Sequence, residues 1–573
     1  MSIIDWVVFG LTLAGILGYG MWRGRGQHNA DAYLRADQSL PWYVVLLGVM
    51  ATQASAITFL SAPGQAFTDG MRFVQYYFGL PIAMVVICVT FIPIFRKQNV
   101  FTAYEFLEKR FDRKTRVVTS ILFLLSRGLS TGISIYAPSI IVASIMGWNI
   151  YLTNMLVGGL LLLYTVRGGA RAVAHTQTLM FGIILASMIV AAVVLVGSMP
   201  NGMGFADALT LAGASGSLNV ITFSSDPHDK YNLLSGLVGG FFLALSYFGT
   251  DQSQVGRFIT GKNTDESRRG LLLNGIVKIP MQFGILFIGA LLVALYSVMP
   301  SPIFFNDAVA ERVRLEHPQQ YEELQGQWSA ANIELARASN ELLKERRNNE
   351  HIPTISASPT TESFVSAQNE LRSLRAEFKG IVKKQGIAES SDTNYVFLHF
   401  VRTMLPVGLV GLIFAVVILA SWGSISAAFH SLATASLVDL HLVFGKREIG
   451  DDGTVQKARI HTFVWGLFCI GVSMLATRMG SLIEAVNILG SLFYGPILGI
   501  FLVAFYIKRA RGTIVFIAAI LAEGVVITCY AIDIVSFLWL NVIGAGVVVM
   551  VCLAAPSAAS LRESKTSGVT PGE

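Results

Sequence analysis

Charged residues are scarce in this 573-residue sequence. Asp, Glu, Lys and Arg together make up 14% of the chain, whereas 53% of its residues are hydrophobic. A soluble globular protein carries about 25% charged residues, because water must solvate its surface. The deficit excludes an ordinary soluble protein and indicates that much of the chain lies in lipid.

Cysteine is also rare, and the sequence lacks the usual marks of an enzyme. The cysteines all fall in apolar segments, which favours packing over a disulfide framework or a metal site. They are Cys88, Cys469, Cys529 and Cys552. The apolar segments also contain no catalytic carboxylate pair, metal motif or nucleophile elbow. We therefore do not expect an enzyme, a resident cofactor or a metal site built from these residues.

Apolar runs of about 20 residues, each long enough to cross about 30 Å of hydrocarbon, recur along the chain. We count about thirteen: 2–22, 41–66, 72–96, 117–147, 150–166, 171–197, 231–256, 271–299, 395–440, 458–478, 482–508, 512–532 and 535–555. This pattern predicts an all-α membrane protein with about 13 transmembrane helices.

The predicted spans divide the chain into three parts. Residues 1–299 hold spans 1–8, and residues 393–573 hold spans 9–13 with a short cytoplasmic tail. Between them, residues 300–392 are rich in Glu, Gln, Arg, Lys and Ala. We interpret this middle part as an extracytoplasmic helical hairpin.

Lys and Arg concentrate in the short loops that follow odd-numbered spans. Cytoplasmic loops carry such an excess, so the N-terminus is expected outside and the C-terminus in the cytoplasm. The net charge of +6 therefore reflects topology and does not indicate a nucleic-acid partner. We expect a multi-pass protein of a bacterial cytoplasmic (inner) membrane.

Residues 48–64 (GVMATQASAITFLSAPG) are unusual for a membrane span. They are rich in small and hydroxyl side chains, and Pro63 removes one amide donor, so we expect carbonyls nearby to be free for a ligand. An interrupted span of this kind points to the binding site of a secondary transporter. A tightly packed helix–helix face is the alternative interpretation.

A second interruption is expected in the span 231–256, at Thr250-Asp251-Gln252. The two interrupted spans begin two runs of five spans that have opposite orientations in the membrane. The first run covers 41–197 and the second begins at 231. This arrangement predicts a five-helix inverted repeat.

Two cations fall deep inside predicted spans. Arg127 shares a helix face with Ser130, Thr131 and Ser134. It serves either in an ion pair that holds helices together or as an anion-binding group for a solute. Lys278 is expected to pair with a carboxylate or with carbonyls inside the bundle.

Several stretches of this chain together resemble the sodium/solute symporter family, and we identify it as a bacterial member. They are 53–60 (QASAITFL), 104–111 (YEFLEKRF), 136–138 (YAP), 168–173 (GGARAV), 249–258 (GTDQSQVGRF) and the small-residue run 419–431. The first is most similar to the branch of iodide, monocarboxylate, vitamin and sialic acid carriers. The resemblance implies a LeuT-type fold and alternating access around a site at the membrane midplane.

The resemblance also implies a sodium site between the second and ninth spans. Its ligands map to Ala51, Ala54, Ala420, Gly423 and Ser424. A serine is usual at Gly423, so the site either binds sodium more weakly or borrows a water or Ser421. A second sodium site of some members needs an aspartate where this chain has Gln177 and a serine where it has Ala427. We therefore expect one sodium ion per cycle.

Family positions that contact the solute match this chain only in part. They map to Ser55, Thr58, Tyr77, Arg127 and Tyr247. Sugar carriers use Gln, Glu and Asn where this chain has Thr58, Tyr77 and Ala244, which argues against a hexose. Ser55 and Thr58 match carboxylate contacts of sialic-acid-type members, and Tyr247 matches an inner-gate aromatic residue.

These observations favour a sodium-coupled symporter that imports a small organic solute, with an anion such as a carboxylate preferred. Its partners would be that solute, sodium and the lipid bilayer, with no nucleic acid, and the oligomeric state stays open. Three alternatives remain: proton coupling through Glu523 or Asp251, a neutral solute such as a sugar or amino acid, or a membrane sensor that does not transport.

Overall fold

The structure is a computed structural model, and it describes most of the chain. The described residues are 1–23, 40–98, 100–167, 170–200, 202–348, 358–386, 391–445 and 453–555. Three features of the sequence lie outside the described residues: the basic loop 24–39, the glycine pair 168–169 and the tail 556–573.

The described chain is built from helices. In chain order they are α1 Ile3–Arg23, α2 Trp42–Gln53, α3 Ile57–Asp69, α4 Met71–Gln98, α5 Ala103–Arg110, α6 Arg113–Met146, α7 Ile150–Arg167, α8 Ala170–Gly197, α9 Phe205–Ala214, α10 Ser235–Thr250, α11 Gln252–Phe258, α12 Thr264–Val298, α13 Asp307–Glu316, α14 Pro318–Asn348, α15 Pro359–Lys384, α16 Val396–Met404, α17 Leu409–Gly445, α18 Thr454–Arg478, α19 Leu482–Tyr506, α20 Gly512–Ala531 and α21 Phe537–Ala554.

Among the described residues, nine helices are long and apolar enough to cross a bilayer. They belong to α4, α6, α8, α12 and α17 to α21, and the bent pair α2–α3 gives a tenth. Apolar parts of α1, α7, α9 and α10 are shorter. The all-α membrane fold is thus confirmed, while the number thirteen stays a prediction.

Side-chain caps and glycines set the ends of the long helices. Asp112 begins α6 by accepting the amide of Thr115 at 2.8 Å, and Asn263 begins α12 by accepting the amide of Glu266 at 2.8 Å. These bonds satisfy amides that the first helical turn leaves unpaired. Gly147 ends α6 with a φ of 66°, a left-handed conformation that glycine adopts without strain.

Helices α2 and α3 form one span that bends by 61° at residues 54–56. The bend does not lie at Pro63. Pro63 lies in a helical turn after a π-helical segment at Ile57–Ser61, and the helix breaks before that segment. The break follows from Ala54, whose ψ of 72° takes the chain out of the helical path.

The second expected interruption occurs at Asp251, between α10 and α11. This residue is extended, with a ψ of 119°, and its carboxylate accepts the amide of Ser253 at 2.8 Å. Asp251 therefore both ends one helix and caps the next.

Residues 300–392 contain the helices α13, α14 and α15. Helices α14 and α15 pack side by side, and α14 also contacts α12. Their shared core is made of buried apolar side chains at helical spacing. It includes Leu335, Leu342, Phe364, Leu371 and Phe378. We refer to α13–α15 as the insert.

The apolar segment 395–440 is longer than one crossing of the membrane requires. It contains two helices, the short α16 and the long α17, separated at Gly408 with a φ of 89°. Helix α17 is almost completely enclosed by other helices. A helix in that position can supply ligands to a central site.

Candidate functional site

The break between α2 and α3 releases main-chain carbonyls from the helical ladder. In a continuous helix the Ser55 amide would bond the Ala51 carbonyl, but it donates to the Gln53 carbonyl at 3.1 Å. The Thr58 amide, the helical partner of the Ala54 carbonyl, donates to the Ser55 carbonyl at 3.0 Å. Both carbonyls assigned to sodium, Ala51 and Ala54, thus lose their usual donors.

Helix α17 lies directly against this break. The Ser421 hydroxyl accepts the Ala56 amide at 3.0 Å and itself donates to the Val417 carbonyl at 3.2 Å. The first of these bonds replaces the one that Ala56 would make to the Thr52 carbonyl in a continuous helix. Because Ser421 is committed to holding the break, the expectation that it lends a sodium ligand is not supported by the structure.

The three sodium positions of α17 fall within about one turn of a single helix, with Gly423 and Ser424 adjacent. Ala420 and Ser424 are both buried, and the Ser424 hydroxyl donates to the Ser421 carbonyl at 3.0 Å. Ser424 also lines a cavity that reaches Thr52 beside the break. Within the described residues, no group of three or more His, Cys, Asp or Glu side chains could hold a metal ion. The oxygens at the break are therefore the candidate cation ligands.

Gly423 contributes no side chain, and another residue fills the space in front of it. A Cβ atom at this glycine would lie 2.9 Å from Cγ of Gln177 and 3.3 Å from its Nε2. Gln177 is on α8, and its side chain is 2% exposed. Gln177 stands where the resemblance places the aspartate of a second sodium site. It therefore lies directly against Gly423, a position expected in the first sodium site.

Two small polar cavities adjoin the break. We call the first, of about 90 Å³, the break cavity. Its lining includes Ser55, Thr58, Arg127, Tyr247, Ser424 and Asn487. The second, of about 120 Å³, is the tyrosine cavity. Its lining includes Thr58, Tyr76, Tyr77, Ala244, Tyr247, Lys278 and Asn487.

The structure brings all five predicted solute residues to these two cavities. Ser55 and Arg127 line the break cavity, Tyr77 lines the tyrosine cavity, and Thr58 and Tyr247 line both. Larger cavities exist at the insert and between α8, α9 and α12. Neither of these larger cavities touches the break, so they are not the candidate site.

Arg127 forms an ion pair. Its Nη1 lies 4.0 Å from Oδ2 of Asp251, and the Tyr494 hydroxyl donates to the same carboxylate oxygen at 3.0 Å. Of the two interpretations of Arg127, the structure shows the ion pair. The guanidinium still lines the break cavity, but a carboxylate already compensates its charge.

Lys278 has no such partner, and the expectation of a carboxylate or carbonyl partner is wrong among the described residues. Its side chain is 2% exposed, and no described carboxylate lies within 4.0 Å of its ammonium. The ammonium lies over the Tyr77 ring, 5.6 Å from the ring centroid. An aromatic face attracts a cation without neutralising it. Lys278 is therefore a buried amine without a described counter-ion beside the tyrosine cavity.

Sequence reasoning missed Lys278 and Asn487 as site residues. Asn487 lines both cavities, and its Oδ1 accepts the Tyr76 hydroxyl at 3.2 Å. Its Nδ2 is buried and has no hydrogen-bond acceptor among the described residues. A usable signal was present for Lys278, since a charge in the middle of an apolar span is a functional candidate by default.

A buried bundle with a discontinuous helix, released carbonyls and small polar cavities defines a membrane transporter of the LeuT type. A solved structure supports this fold, with a TM-score of 0.73 and 20% identity over 97% of this chain and 99% of the other. That solved structure is of a Na⁺-coupled sialic acid symporter in a substrate-bound, outward-open state.

The chain belongs to the sodium:solute symporter family, which matches residues 33–318 and 374–522. The sodium/sialic acid symporter SiaT of Proteus mirabilis is 25% identical over 98% of this chain and 97% of its own length. The sodium-dependent multivitamin transporter of Oryctolagus cuniculus is 25% identical over 89% of this chain and 67% of its own. The protein is thus a multi-pass membrane transporter that couples solute import to sodium, and it is not an enzyme.

Proposed function

We propose that this protein imports a small organic anion, such as a carboxylate, together with one sodium ion per cycle by alternating access. The observation that carries the proposal is the release of the Ala51 and Ala54 carbonyls beside the hydroxyl-bearing face of α17. A helix break stabilised only by its own chain would leave buried polar groups unpaired, at a cost of several kcal/mol in lipid. A bound cation offsets that cost.

The proposed sodium ligands are all hard oxygen donors. They are the main-chain carbonyls of Ala51, Ala54 and Ala420 and the hydroxyl of Ser424, with Gly423 lying between the last two. Alkali ions favour such neutral carbonyl and hydroxyl ligands, because these replace the hydration shell without a fixed charge. Unwound carbonyls of discontinuous helices coordinate sodium in this way in transporters with inverted repeats.

One sodium ion per cycle is supported by the chemistry of the neighbouring positions. A second cation beside the first needs a negative charge to offset their repulsion. Gln177 is neutral, and Ala427 has no oxygen in its side chain. Both residues are buried, so no solvent replaces what they lack.

An anionic solute is supported by the charge balance of the two cavities. Asp251 pairs with Arg127, whereas Lys278 has no described counter-ion. A carboxylate in the tyrosine cavity would supply the missing counter-ion, and Thr58 and Asn487 would supply neutral hydrogen bonds. Sialic acid, the solute named for the relative from Proteus mirabilis, is itself a carboxylate.

Sodium coupling is favoured over proton coupling by the positions of the two candidate acids. Asp251 is held in the ion pair with Arg127 and accepts a hydrogen bond from Tyr494, so protonation would break both contacts. Glu523 is on α20, which lines neither the break cavity nor the tyrosine cavity. We therefore assign the coupling role to sodium alone.

We further propose that the chain lies in the cytoplasmic membrane with its N-terminus outside and its C-terminus inside. Support comes from the Lys and Arg residues of the short loops. Reporter fusions at the two termini, one active only in the cytoplasm and one only outside, test this orientation. A cytoplasmic N-terminus would contradict it.

Uptake into vesicles that contain the purified protein tests the proposed function. A panel of labelled carboxylates, sugars and amino acids is offered with an inward sodium gradient, with a proton gradient alone, or with neither. We expect a carboxylate to accumulate only with sodium. Accumulation driven by protons in the absence of sodium, or of a neutral solute alone, would contradict the proposal.

Substitution of Ser424 by Ala tests the sodium site within the same assay. Loss of one oxygen ligand should raise the sodium concentration for half-maximal uptake by about tenfold, which corresponds to about 1.4 kcal/mol. Ser436→Ala on the same helix is the matched control, because its hydroxyl bonds the Ala433 carbonyl and His461 away from the break. An unchanged sodium response in Ser424→Ala would exclude this hydroxyl as a ligand.

A further inference from the structure

Gln177 is the least satisfied polar side chain near the proposed sodium site. It is 2% exposed, and no described residue hydrogen-bonds either its Oε1 or its Nε2. A buried carboxamide without partners costs about 1–3 kcal/mol in a protein. Such a group is retained when a bound species satisfies it, so its surroundings indicate what that species is.

The carboxamide lies where a side chain of residue 423 would lie. A Cβ atom on Gly423 would be 2.9 Å from Gln177 Cγ and 3.3 Å from its Nε2, so the two side chains compete for one space. The glycine is what admits the glutamine. Ala420 and Ser424, the two other sodium positions of α17, flank Gly423 by one turn and by one residue.

Helix α8 contacts both helices that carry the proposed sodium ligands. It packs against α17 and also against α2, the helix that carries the Ala51 carbonyl. A half-turn of the carboxamide exchanges its oxygen and nitrogen without changing its shape. The oxygen can therefore face the cation while Cγ stays packed against Gly423.

We propose that the Gln177 carboxamide oxygen is a sodium ligand, which takes the place of a side-chain oxygen that Gly423 does not provide. This inference rests on the proposed sodium site and adds a third helix, α8, to it. A carboxamide oxygen is a hard, neutral donor like a main-chain carbonyl, and it suits an alkali ion. The ligand set then stays neutral, as a single monovalent cation requires.

The experiment measures sodium binding directly on the purified full chain, as the rise in thermal unfolding midpoint with sodium concentration. Choline chloride at equal ionic strength is the reference. The main variant is Gln177→Met, which keeps the length and bulk of the side chain but replaces the hard oxygen by a soft thioether. We expect its half-maximal sodium concentration to rise about tenfold or more, as when a metal site loses a supporting group.

A matched control comes from Gln282 on α12. Its carboxamide is also buried and without described partners, but Gln177, and not Gln282, fills the space in front of Gly423. Gln282→Met should leave the sodium response unchanged. A similar loss in both variants would show a general packing effect and would overturn the proposal.

Rescue distinguishes a ligand from a packing residue. In a Gln177→Ala background, Gly423→Ser has room for its hydroxyl and should restore part of the sodium affinity. In the native background, Gly423→Ser meets Gln177 Cγ and should weaken binding. If Gln177→Met does not fold, the comparison of Gln177→Ala with and without Gly423→Ser decides the question.

The outcomes separate this inference from the proposed function. If the native protein shows no sodium-dependent stabilisation, the sodium site itself is wrong. If the native protein responds and Ser424→Ala weakens the response, but Gln177→Met does not, only the role of Gln177 is overturned.

Discussion

Two cations, Arg127 and Lys278, lie in the middle of the helix bundle, and they differ in their partners. Arg127 faces Asp251 at 4.0 Å, and this carboxylate also accepts bonds from Tyr494 and Ser253. Lys278 faces the ring of an aromatic residue and no described carboxylate. Burying an unpaired charge is costly, and binding of a ligand of opposite charge offsets that cost.

Replacement of Lys278 by Met should weaken solute binding rather than folding. The variant removes the only cation of the tyrosine cavity that lacks a described counter-ion, and we expect KM for a carboxylate to rise about tenfold or more. Transport kinetics at saturating sodium measure this change. Lys278→Arg keeps a cation at this position, so its KM should lie closer to the native value. An unchanged KM in Lys278→Met would rule out the anion-binding role.

Variants that break the Arg127–Asp251 pair should lower the stability of the fold. Asp251→Asn or Arg127→Met leaves one buried charge without its partner, at a cost of about 3–5 kcal/mol. The double variant removes both charges and should be more stable than either single variant. Thermal unfolding of the four proteins forms a double-mutant cycle. Additive losses would show that the two groups do not form an energetically important pair.

The second half of the broken span, α3, is held between two close backbone contacts. A Cβ atom on Gly289 of α12 would lie 2.1 Å from the Pro63 carbonyl oxygen. A Cβ atom on Gly64 would lie 1.8 Å from the carbonyl oxygen of Thr393, just after the insert. Only glycine permits these approaches. The direction of α3, and hence of the released carbonyls, depends on both.

Substitution of Gly289 by Ala should displace α3 and lower transport. The added methyl overlaps the Pro63 carbonyl, and overpacking of this kind costs about 1–3 kcal/mol. We expect a lower unfolding midpoint and a higher sodium requirement for uptake. Gly284→Ala on the same helix is the control, because nothing lies within 4 Å of its Cβ position and helix propensity favours alanine. Equal effects at both positions would show that the close contact at Gly289 does not hold α3 in place.

The sequence allowed prediction of the interrupted helices, because small residues, hydroxyls and glycines are local signals. The positions of the released carbonyls followed from the family resemblance. The physical cause of the break was not visible, because the bond that fixes it joins Ala56 to Ser421, 365 residues apart. For the same reason, the contact between Gly423 and Gln177 could not be deduced. Local patterns identify elements, whereas tertiary hydrogen bonds decide which atoms they present.

The insert is connected to the transport core through residues 392–394. Asn394 accepts the Ser61 hydroxyl of α3 at 2.6 Å and donates to the Gly480 carbonyl at 3.1 Å. Two residues earlier, Asp392 lies 3.2 Å from Arg375 and 3.0 Å from Lys379, both on α15. This short segment therefore links the insert to the broken span, and displacement of one requires adjustment of the other.

Asp392 gives this connection a defined pH dependence. Burial raises the pKa of its carboxyl, but Arg375 and Lys379 outweigh that effect and hold the pKa below its usual value. An Asp carboxyl has a pKa of about 4 in the unfolded chain. The ion pairs therefore contribute their full stability above about pH 4 and lose it as the pH falls through the lower pKa of the folded protein.

Asp392→Asn should lower the unfolding midpoint at pH 7, because it leaves Arg375 and Lys379 without their carboxylate, at a cost of about 3–5 kcal/mol. The difference from the native protein should stay constant from pH 7 to about pH 5 and shrink only below about pH 4, where the native carboxyl itself takes up a proton. Glu334→Gln, which breaks an exposed ion pair with Arg337 on α14, should change little at any pH. A difference that already disappears between pH 7 and pH 5 would show that burial, and not the two cations, dominates the pKa of this carboxyl.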